Sequence, residues 1–392
     1  MKYDFNKEVN RKHNDSAKWD EIGKNFISKD LLPMWVADMD FETAPEILEA
    51  MQKKLNQKIF GYVSRPDSYY ESAANWTKRR YGYDINPKTL IHAPGVVPSI
   101  SLILRLFSNE NDKILIQSPV YYPFSNIIEK NNRKLVVNLL KEQNGKYFID
   151  FEDFQKKCED PDLKWFILCN PHNPVGRVWT RRELERMGEI CLKNNVRVIA
   201  DEIWRDLVYK DYKYIPFASL SKEIEDITIT CFAATKTFNI AGLQASFVSF
   251  PRQEELIKFD NELGVLDIKR NNPFSLVAIE AAFNKGEPWL NELLDYLQSN
   301  LDFLIEYFEK NIPKVKVIKP EGTYLVWLDF RSLGLNNADL SILLQKEGKI
   351  ALDDGFWFGE NGGGFERINI ACPRYLLEDG LKRIKKAVDS IK

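Results

Sequence analysis

Residues 163–203, LKWFILCNPHNPVGRVWTRRELERMGEICLKNNVRVIADEI, decide the fold class. The apolar run at 163–170 predicts a strand, and a polar loop follows it. Residues 181–195 carry apolar side chains at helical spacing, and residues 196–203 form a second apolar run that predicts another strand. A strand, a helix and a strand in this order predict two parallel strands covered by the helix.

The same alternation continues on both sides of this unit. Further strands are predicted at residues 112–119, 133–140, 226–234 and 244–250. The chain is therefore of the α/β class, with a largely parallel sheet covered by helices on both faces. Ligands of such sheets bind at the carboxyl ends of the strands. We expect residues 170–176, Asp201 and Lys236 to meet at this edge.

The pattern changes after about residue 280, where a smaller α+β unit begins. Its predicted elements are a long amphipathic helix at 291–312, two strands around a Pro-Glu-Gly turn at 315–330, and another strand at 367–373. We predict that residues 48–285 form the large domain that carries the ligand site. Residues 286–392 are then the C-terminal small domain, to which the N-terminal segment 1–47 also contributes.

The composition excludes several classes of protein. Lysine plus arginine number 55 and aspartate plus glutamate 57, so the chain has no overall basic field for nucleic acid. No apolar run approaches the ~20 residues of a membrane span, and the N-terminus is too polar for a signal peptide. We therefore expect a cytoplasmic protein with neither a nucleic-acid nor a membrane partner.

The cysteines and histidines predict neither disulfides nor a metal site. The five cysteines are dispersed without a CxxC pair, which is typical of reduced, buried thiols. The three histidines, His13, His92 and His172, lie far apart and lack metal-ligand spacing. Catalysis by a serine–histidine or cysteine–histidine pair stays open as an alternative, although no motif points to it.

Lys236 lies between two threonines, directly after an apolar run that ends at Ala234. A lysine at a strand end usually points to solvent, so this residue alone indicates little. Together with Asp201 and Asn173, however, it forms the set that pyridoxal phosphate requires. The lysine bonds to the cofactor aldehyde, an acid holds the proton of the pyridine nitrogen, and an amide donates to the ring oxygen. The structural alternatives are a helix N-cap for Asp201 and a turn residue for Asn173.

The phosphate and the ring of such a cofactor need further groups. An apolar helix predicted within residues 92–107 begins just after a glycine, which suits an anion bound to backbone amides. These amides are those of Gly95, Val96 and Val97. Thr235 adds a hydroxyl beside the lysine, and Tyr121 or Tyr122 offers a flat ring to cover the cofactor. A plain loop-to-helix turn and packing tyrosines are the alternatives.

Eight motifs in order along the chain now carry a resemblance. They are LPMWVADMDF (32–41), FGY (60–62), APGVVPSI (93–100), SPVYYPF (118–124), CNPHNPVGRVWT (169–180), ADEIWRDLV (200–208), TKTFNIAGLQ (235–244) and INIACPR (368–374). With them the chain resembles the fold-type I pyridoxal-phosphate enzymes of the aminotransferase class I/II superfamily. Within that superfamily it is similar to the cystathionine β-lyase and C–S lyase group of the MalY and PatB type.

The resemblance implies a fold, a cofactor and its contacts. The fold has a large domain with a mostly parallel seven-stranded sheet between helices, plus a smaller α+β domain. The cofactor is pyridoxal 5′-phosphate, with Lys236 as the lysine that carries it, Asp201 as the partner of the pyridine nitrogen and Asn173 as the ring-oxygen donor. Tyr121 would stack on the ring and take part in catalysis. The other implied cofactor contacts are Gly95, Val96, Val97, Trp204, Thr235 and Tyr62.

The resemblance also implies substrate contacts and a partner. Arg374 would hold the substrate α-carboxylate, for which a planar fork of donors is suited; a salt bridge at the rim is its alternative. The other implied substrate contacts are Asn173, Tyr62, Ala37 and Asp38. Tyr62 would reach the cofactor of the neighbouring subunit, which implies a homodimer with shared active sites.

Two positions depart from the wider superfamily. Trp204 stands three residues after Asp201, where a tyrosine often bonds the ring oxygen, so this second contact stays open. Gln244 stands where aspartate aminotransferases carry a phosphate-binding arginine, and this difference favours the lyase group.

The implied activity is α,β-elimination of L-cystathionine, cystine or related thioether amino acids to pyruvate, ammonia and a thiol, within amino-acid metabolism and methionine biosynthesis. An aminotransferase on the same scaffold is the first alternative, because Lys236, Asp201 and Arg374 would serve both reactions. A catalytically idle regulatory protein on this fold is the second.

Overall fold

The computed structural model describes residues 2–391. Its central sheet has seven strands: β1 (Leu90–Ala93), β2 (Lys113–Ser118), β3 (Lys134–Leu139), β4 (Leu163–Cys169), β5 (Arg197–Asp201), β6 (Thr228–Phe232) and β7 (Ser246–Ser249). Their spatial order is β1-β7-β6-β5-β4-β2-β3. Strand β7 runs antiparallel to both of its neighbours and the other pairs are parallel, so the predicted mostly parallel sheet is confirmed.

The register of this sheet aligns the strand ends that carry the candidate site. Asp201, the last residue of β5, pairs with Cys169 of β4 on one side and with Cys231 of β6 on the other. The sequence located six of the seven strands and missed β1. Its four residues are too few to show a period and run directly into the turn at Gly95.

Helices cover both faces of the sheet. They are α1 (Pro45–Leu55), α2 (Asp67–Tyr81), α3 (Val96–Phe107), α4 (Pro123–Lys130), α5 (Phe151–Cys158), α6 (Arg181–Lys193), the short Lys222–Asp226, α7 (Gln253–Val265) and α8 (Pro273–Lys285). Successive side chains of a strand point to opposite faces. On β4, Trp165 and Ile167 pack in the cluster that contains α3, α4 and α7, whereas Phe166 and Leu168 pack in the cluster that contains α5 and α6.

The crossover from β4 to β5 forms as the sequence predicts. Helix α6 begins after Thr180, whose hydroxyl accepts from the backbone amide of Glu183 while the Glu183 carboxylate accepts from the amide of Thr180. This reciprocal cap satisfies two amides that the first helical turn leaves free. The helix therefore starts at one defined residue, and the preceding loop stays available for the site.

The C-terminal unit is a four-stranded antiparallel sheet with helices. Its elements are α9 (Glu287–Asn311), β8 (Lys316–Ile318), β9 (Leu325–Asp329), α10 (Asn337–Leu343), β10 (Asp353–Asp354), β11 (Phe365–Asn369) and α11 (Arg374–Asp389). The spatial order of its strands is β8-β9-β11-β10. One-turn helices lie at Pro87–Thr89, Phe217–Ser219, Ala241–Leu243, Arg331–Leu333, Gly355–Phe358 and Glu360–Gly362, and a π-helical turn lies at Leu344–Gly348.

The N-terminal segment joins this C-terminal unit. Two short helices, Ala17–Asp20 and Ile22–Asn25, precede a strand at Leu32–Pro33 that pairs in parallel with Ile350–Ala351. A separate hairpin in the large unit pairs Lys141–Gln143 with Lys146–Phe148. The domain limits 1–47, 48–285 and 286–392 stay a prediction.

Three further features concern the described residues. Over residues 2–391, no helix is both long and apolar enough to cross a membrane. Nor does this part of the chain contain a group of three or more histidine, cysteine, aspartate or glutamate side chains placed to hold a metal ion. All five cysteines are buried and free of disulfides, as their dispersed spacing predicts.

Candidate active site

A cavity of about 210 Å³ opens at the carboxyl ends of the parallel strands. It is lined by Ala37, Gly95, Val96, Val97, Pro98, Tyr121, Cys169, Asn173, Asp201, Ile203, Trp204, Thr235 and Lys236. Ten of the thirteen residues singled out from the sequence therefore meet in one place. The remaining three are Asp38, Tyr62 and Arg374, and their positions are described below.

Lys236 follows β6 and is the amine of this cavity. Part of its side chain faces the cavity, while Nζ lies within the protein and donates to the carbonyl oxygen of Ala37 at 2.7 Å. Burial lowers the pKa of Lys236 from 10.5 to about 8, against the opposing charge of Asp38, and the positive charge of Arg367 adds to the lowering. A neutral amine is therefore far more accessible here than at an ordinary lysine.

Asp201 ends β5 and is a buried carboxylate. Its Oδ1 accepts from the backbone amide of Ile203 at 3.0 Å, which fixes the orientation of the group. Burial raises the pKa of Asp201 to about 7, with a further rise from neighbouring Glu202 and a partial offset from Lys236. A buried acid with a perturbed pKa beside a perturbed amine is typical of a functional site.

The turn at Gly95 places the start of α3 against the cavity. The amides of Gly95, Val96 and Val97 lie at the N-terminus of this twelve-residue helix, where backbone N–H groups lack helical partners. A side chain on Gly95 would bring its Cβ to 3.3 Å from Cδ of Pro98. The turn therefore keeps an open cradle of backbone donors, which suits an anion. Thr235 lines the cavity as well.

Asn173 is oriented by an arginine that the sequence analysis did not select. Arg367, on β11, donates from Nη1 to Oδ1 of Asn173 at 2.9 Å. Since Oδ1 is occupied, the NH₂ group of Asn173 is the part left to donate to a ligand. Arg367 also donates to the carbonyl oxygen of Trp35 at 3.1 Å and forms a buried ion pair with Asp353. Burial raises the pKa of Asp353 to about 6.

Tyr121 and Trp204 supply the aromatic walls. Burial raises the pKa of Tyr121 to about 12, so its phenol is neutral. The Trp204 ring lies 5.6 Å from Nζ of Lys236 and packs edge-on against Tyr324 at 4.9 Å. Trp204 therefore shields the amine through its ring.

The segment 35–41 lies over the cavity and is held along its length. The carbonyl oxygens of Val36 and Asp38 accept from Asn369 at 2.7 and 2.5 Å. Those of Met39 and Phe41 accept from Asn239 at 3.0 and 2.8 Å. Asn239 belongs to the same turn as Lys236, so the covering segment and the amine are tied to one element.

A buried ion-pair cluster fixes the far end of this segment. Lys18 pairs with Asp40 at 2.6 Å, and Arg11 pairs with Asp38 at 2.6 Å and with Asp40 at 2.8 Å. Against the effect of burial, Lys18 and Arg11 hold the pKa of Asp40 below its usual range. Asp38 therefore does not line the cavity but acts on Lys236 through its charge, while its carboxylate is held by Arg11.

The position of Arg374 corrects an expectation. Its guanidinium donates to Oδ1 of Asn300 and to the hydroxyl of Ser299, both at 2.9 Å, and lies over the Phe303 ring. These partners all belong to α9, and Arg374 does not line the cavity. Arg374 is the first residue of α11, after the chain has turned away at Pro373. It therefore anchors α11 to α9 and is not placed to hold a ligand in the cavity.

Tyr62 also lies outside the cavity. Its side chain is 94% exposed, and the guanidinium of Arg270 lies 5.4 Å from the ring. A phenol so exposed contacts nothing in the site of its own chain. The expectation that it acts in a neighbouring subunit stays a proposal.

Four residues around the site were missed from the sequence: Arg367, Asn369, Asn239 and Lys18. A signal existed for the first two, because Arg367 and Asn369 are two residues apart on a strand and share one face. Asn239 follows Lys236 by three residues, which is within the same turn. Lys18 carried no signal, since it lies in a charged N-terminal segment that reads as solvated.

The chain matches known proteins over nearly its whole length. The family profile "Aminotransferase class I and II" matches residues 29–384. The chain belongs to the aminotransferase class I and II family. It is 44% identical over 384 residues to cystathionine β-lyase PatB of Bacillus subtilis, which covers 98% of this chain and 99% of that protein.

Two solved structures of the same family are close to this one. A pyridoxal-phosphate-bound protein of Clostridium difficile 630, provisionally named an aminotransferase, is 53% identical with a TM-score of 0.97 and covers 98% of this chain and 100% of its own. Cystalysin of Treponema denticola, which contains pyridoxal 5′-phosphate, is 34% identical with a TM-score of 0.97 and covers both chains fully at 100%. The fold is thus the pyridoxal-phosphate-dependent transferase fold implied by the resemblance.

The residues of the cavity fit such a cofactor. An amine of lowered pKa, a buried carboxylate, an amide with its NH₂ group free and an aromatic ring all face the same cavity. The open backbone cradle at Gly95 adds the donors that a phosphate needs. Each functional part of the cofactor thus has a chemically matching group on this chain.

Proposed function

We propose that this chain is a pyridoxal-phosphate-dependent C–S β-lyase. It cleaves L-cystathionine, cystine or related thioether amino acids to pyruvate, ammonia and a thiol. The observation that carries the proposal is Lys236, an amine with a pKa of about 8 that shares one cavity with Asp201 and Asn173. The similarity to a cystathionine β-lyase along 98% of this chain supports the reaction type.

The cavity residues hold the cofactor in this proposal. Lys236 forms the covalent link, and Nδ2 of Asn173 donates to the ring oxygen. Asp201 would face the pyridine nitrogen. Burial alone favours the protonated form of Asp201, but the positive charge of a protonated ring nitrogen would stabilise its carboxylate. When bound, pyridoxal phosphate withdraws electrons from the substrate Cα and so makes loss of the Cα proton feasible.

The phosphate and the ring face are held by the remaining lining residues. The backbone amides of Gly95, Val96 and Val97 and the hydroxyl of Thr235 bind the phosphate. Tyr121 covers one ring face and Trp204 shields the amine on its side of the cavity. These roles follow from the chemistry of the lining groups and from the family of the chain.

Lys236 moves the proton in the elimination. With a substrate bound in the cavity, the neutral amine of Lys236 would accept the proton from Cα. The electron pair of the Cβ–S bond then leaves with the sulfur, which takes up a proton as it departs. Over the whole reaction one water is consumed, and the carbon skeleton leaves as pyruvate with one ammonium ion.

Arg367, in place of Arg374, holds the substrate α-carboxylate. Its guanidinium reaches Asn173 at 2.9 Å and is close enough to Lys236 for its charge to lower the pKa of the amine. An incoming carboxylate gains a fork of donors here. Ala37 lines the same cavity and accepts from Lys236 through its carbonyl oxygen, and Asp38 follows it in the chain.

We propose that the chain forms a homodimer to which Tyr62 contributes a shared contact. Exposed apolar side chains lie near Tyr62 in the sequence and at the end of α7 and the residues that follow it: Ile59, Phe60, Val265, Leu266 and Ile268. A ring contact of 5.7 Å between Phe60 and Phe274 ties the loop to α8. A two-fold interface would cover such a surface on both copies at once. Tyr62 would then donate to the phosphate in the partner's site.

The proposed location is the cytoplasm, where five buried, free cysteines stay reduced. Cleavage of cystathionine would place the enzyme in sulfur amino-acid metabolism, including methionine biosynthesis. This metabolic role can be tested by supplying the chain to a strain that lacks its own cystathionine-cleaving enzyme. Growth of that strain without methionine is the expected result.

Pyruvate release from L-cystathionine, with no keto acid added, tests the proposed reaction. We expect turnover by the wild type and a loss of about 10³-fold or more in Lys236→Ala, together with loss of the visible absorption of the lysine-linked cofactor. Lys222→Ala, an exposed lysine, is the matched control and should retain both signals. A colourless protein that ignores added cofactor would instead support the idle regulatory alternative.

An aminotransferase is the second candidate, favoured by the provisional name of the 53% identical Clostridium difficile protein. It predicts that turnover requires an added keto acid such as 2-oxoglutarate and that no thiol is released. Absence of pyruvate from cystathionine together with 2-oxoglutarate-dependent turnover would overturn the lyase proposal.

A further inference from the structure

Five aromatic residues form a continuous cluster beside the cavity, here called the aromatic rim: Phe26, Trp35, Tyr122, Phe356 and Trp357. Ring centroids are 5.2 Å apart for Phe26 and Trp35, and 6.4 Å apart for Phe26 and Trp357. Trp357 continues to Tyr122 at 6.5 Å and to Phe356 at 6.3 Å. The rim thus joins the N-terminal segment, the start of α4 and the turn Gly355–Phe358.

The rim is connected to the cavity at two points. The Tyr122 ring lies 5.5 Å from the ring of Tyr121, which lines the cavity. Trp35 accepts from Arg367 through its carbonyl oxygen at 3.1 Å, and Arg367 also contacts Asn173 of the cavity. A ligand that extends out of the cavity beside Tyr121 therefore meets aromatic rings.

The rim is accessible. Tyr122 and Phe356 are 39% and 44% exposed, and the other three members are half-buried. Soluble proteins seldom leave large aromatic side chains clustered at the surface unless the cluster binds something. The nearby charges do not change its apolar character, because Arg367 and Asp353 form a buried pair with each other.

The small size of the cavity is consistent with part of the substrate lying at its mouth. A cavity of about 210 Å³ is smaller than the roughly 300–1,000 Å³ of most ligand pockets. With the proposed cofactor and the amino-acid portion inside, we expect the substituent on the sulfur to extend to the mouth. Aromatic faces carry partial negative charge and offer apolar area, so they favour flat or bulky apolar groups over a carboxylate.

We propose that the aromatic rim binds the substituent of the departing thiol and selects cysteine S-conjugates with aryl or bulky alkyl groups over cystathionine, whose departing thiol is charged. This inference rests on the proposed lyase function. The sulfur substituent does not itself react, so the rim residues determine which substrate is preferred and take no part in breaking the bond.

The test compares pyruvate release from S-benzyl-L-cysteine, S-methyl-L-cysteine and L-cystathionine. For the wild type we expect kcat/KM for the benzyl compound to exceed that for either of the others by at least about tenfold. Tyr122→Ala and Trp357→Ala should each lower kcat/KM for the benzyl compound about 3- to 10-fold and leave that for the methyl compound within about twofold. The wild type and each variant are compared on the same substrate, so the departing thiol is the same in both. A change in kcat/KM therefore reports contact between the rim and the benzyl ring.

The controls separate the rim from general damage. Tyr122→Phe and Trp357→Phe keep a ring and should keep most of the preference. Phe148 is also 39% exposed but lies in the separate hairpin, so Phe148→Ala should leave kcat/KM for both substrates unchanged. Equal efficiency of the benzyl and methyl compounds, a preference for cystathionine, or equal losses on both substrates in the alanine variants would overturn the inference.

The outcomes also separate this inference from the proposed function. No pyruvate from any of the three compounds rejects the lyase function and the rim proposal with it. Pyruvate from all three without a preference rejects the rim proposal alone. The wild-type comparison needs no variant, so absence of a preference rejects the proposal even if an alanine variant does not fold.

Discussion

Lys236 donates from Nζ to the carbonyl oxygen of Ala37 at 2.7 Å, across a sequence separation of 199 residues. The amine at the end of β6 is thereby attached to the segment that covers the cavity. Asn239, in the same turn as Lys236, holds the carbonyl oxygens of Met39 and Phe41. The position of the covering segment is therefore coupled to the element that carries the reactive amine.

Replacing Asp201 by asparagine tests the raised pKa of this buried carboxyl, because that pKa makes the stability of the protein depend on pH. Burial raises the pKa of Asp201 to about 7 from 3.8, so the folded cofactor-free protein holds a proton there that the unfolded chain has lost between about pH 4 and 7. Its contribution to stability is complete below pH 4 and is lost as the pH rises through 7. Asp201→Asn should therefore match the wild type in melting temperature near pH 4.5 and exceed it by a few degrees at pH 8.

Thermal unfolding of the cofactor-free protein at several pH values provides this measurement. Asp226→Asn, at an exposed carboxylate, is the control and should follow the wild type at every pH. A melting-temperature difference between Asp201→Asn and the wild type that stays constant from pH 4.5 to 8 would contradict a raised pKa at Asp201. With cofactor and substrate supplied, the same variant should lose at least about 100-fold in kcat, since a neutral amide cannot hold the ring-nitrogen proton.

The two C-terminal arginines should differ in their effect on substrate binding. Arg367→Lys keeps the charge beside Asp353 but removes the fork of donors, so KM for the amino acid should rise about 10- to 100-fold. Arg374→Ala should leave KM within about threefold, because its partners Asn300 and Ser299 lie on α9. Steady-state kinetics of both variants decide the assignment, and a larger KM effect at Arg374 would reverse it.

Two ion pairs with the same separation should differ strongly in their contribution to stability. Lys18–Asp40 and Lys7–Glu42 are both 2.6 Å apart, but the side chains of the first pair are 1% and 4% exposed and those of the second 54% and 51%. Lys18→Met leaves a buried carboxylate short of one partner and should cost about 3 kcal/mol in the free energy of unfolding. Lys7→Met should cost less than about 1 kcal/mol.

Denaturant unfolding of both variants measures this difference. Since Asp40 lies near the end of the segment over the cavity, Lys18→Met should also raise KM, whereas Lys7→Met should not. Similar free energies of unfolding for the two variants would mean that the buried pair does not fix the covering segment.

Hybrid dimers test the proposed role of Tyr62 in the partner's site. Loss of one charge-assisted hydrogen bond in Tyr62→Phe should weaken cofactor retention about 10- to 100-fold without unfolding the chain. Mixing Tyr62→Phe with Lys236→Ala should produce hybrids in which one of the two sites has both native residues. Activity of the mixture under limiting cofactor should exceed the sum of the separate variants.

Size measurement and cofactor titration complete this test. Tyr375→Phe, at another exposed tyrosine, is the control for loss of a hydroxyl. An active monomer, or a verified hybrid dimer with no more activity than its parents, would reject the shared site.

The sequence by itself determined the fold class and the reactive part of the cavity. Periods of two and 3.6 residues locate β4, α6 and β5, since each element must turn an apolar face to the core. Parallel strands end at one edge, so a lysine, an aspartate and an asparagine after three such strands must meet there. Lys236, Asp201 and Asn173 could therefore be selected from the sequence.

The tertiary structure alone decided which arginine contacts a residue of the cavity and what covers the cavity. Arg367 lies on β11 and contacts Asn173 of the cavity, whereas Arg374, seven residues later, begins α11 after the turn at Pro373 and anchors that helix. Arg367 donates to the carbonyl oxygen of Trp35, which lies 332 residues earlier in the sequence. Lys18 lies in a charged segment that predicts an exposed side chain, but in the folded protein it is buried and paired with Asp40 and Asp38. Local patterns report the period of an element, but pairing between distant segments depends on how the whole core packs.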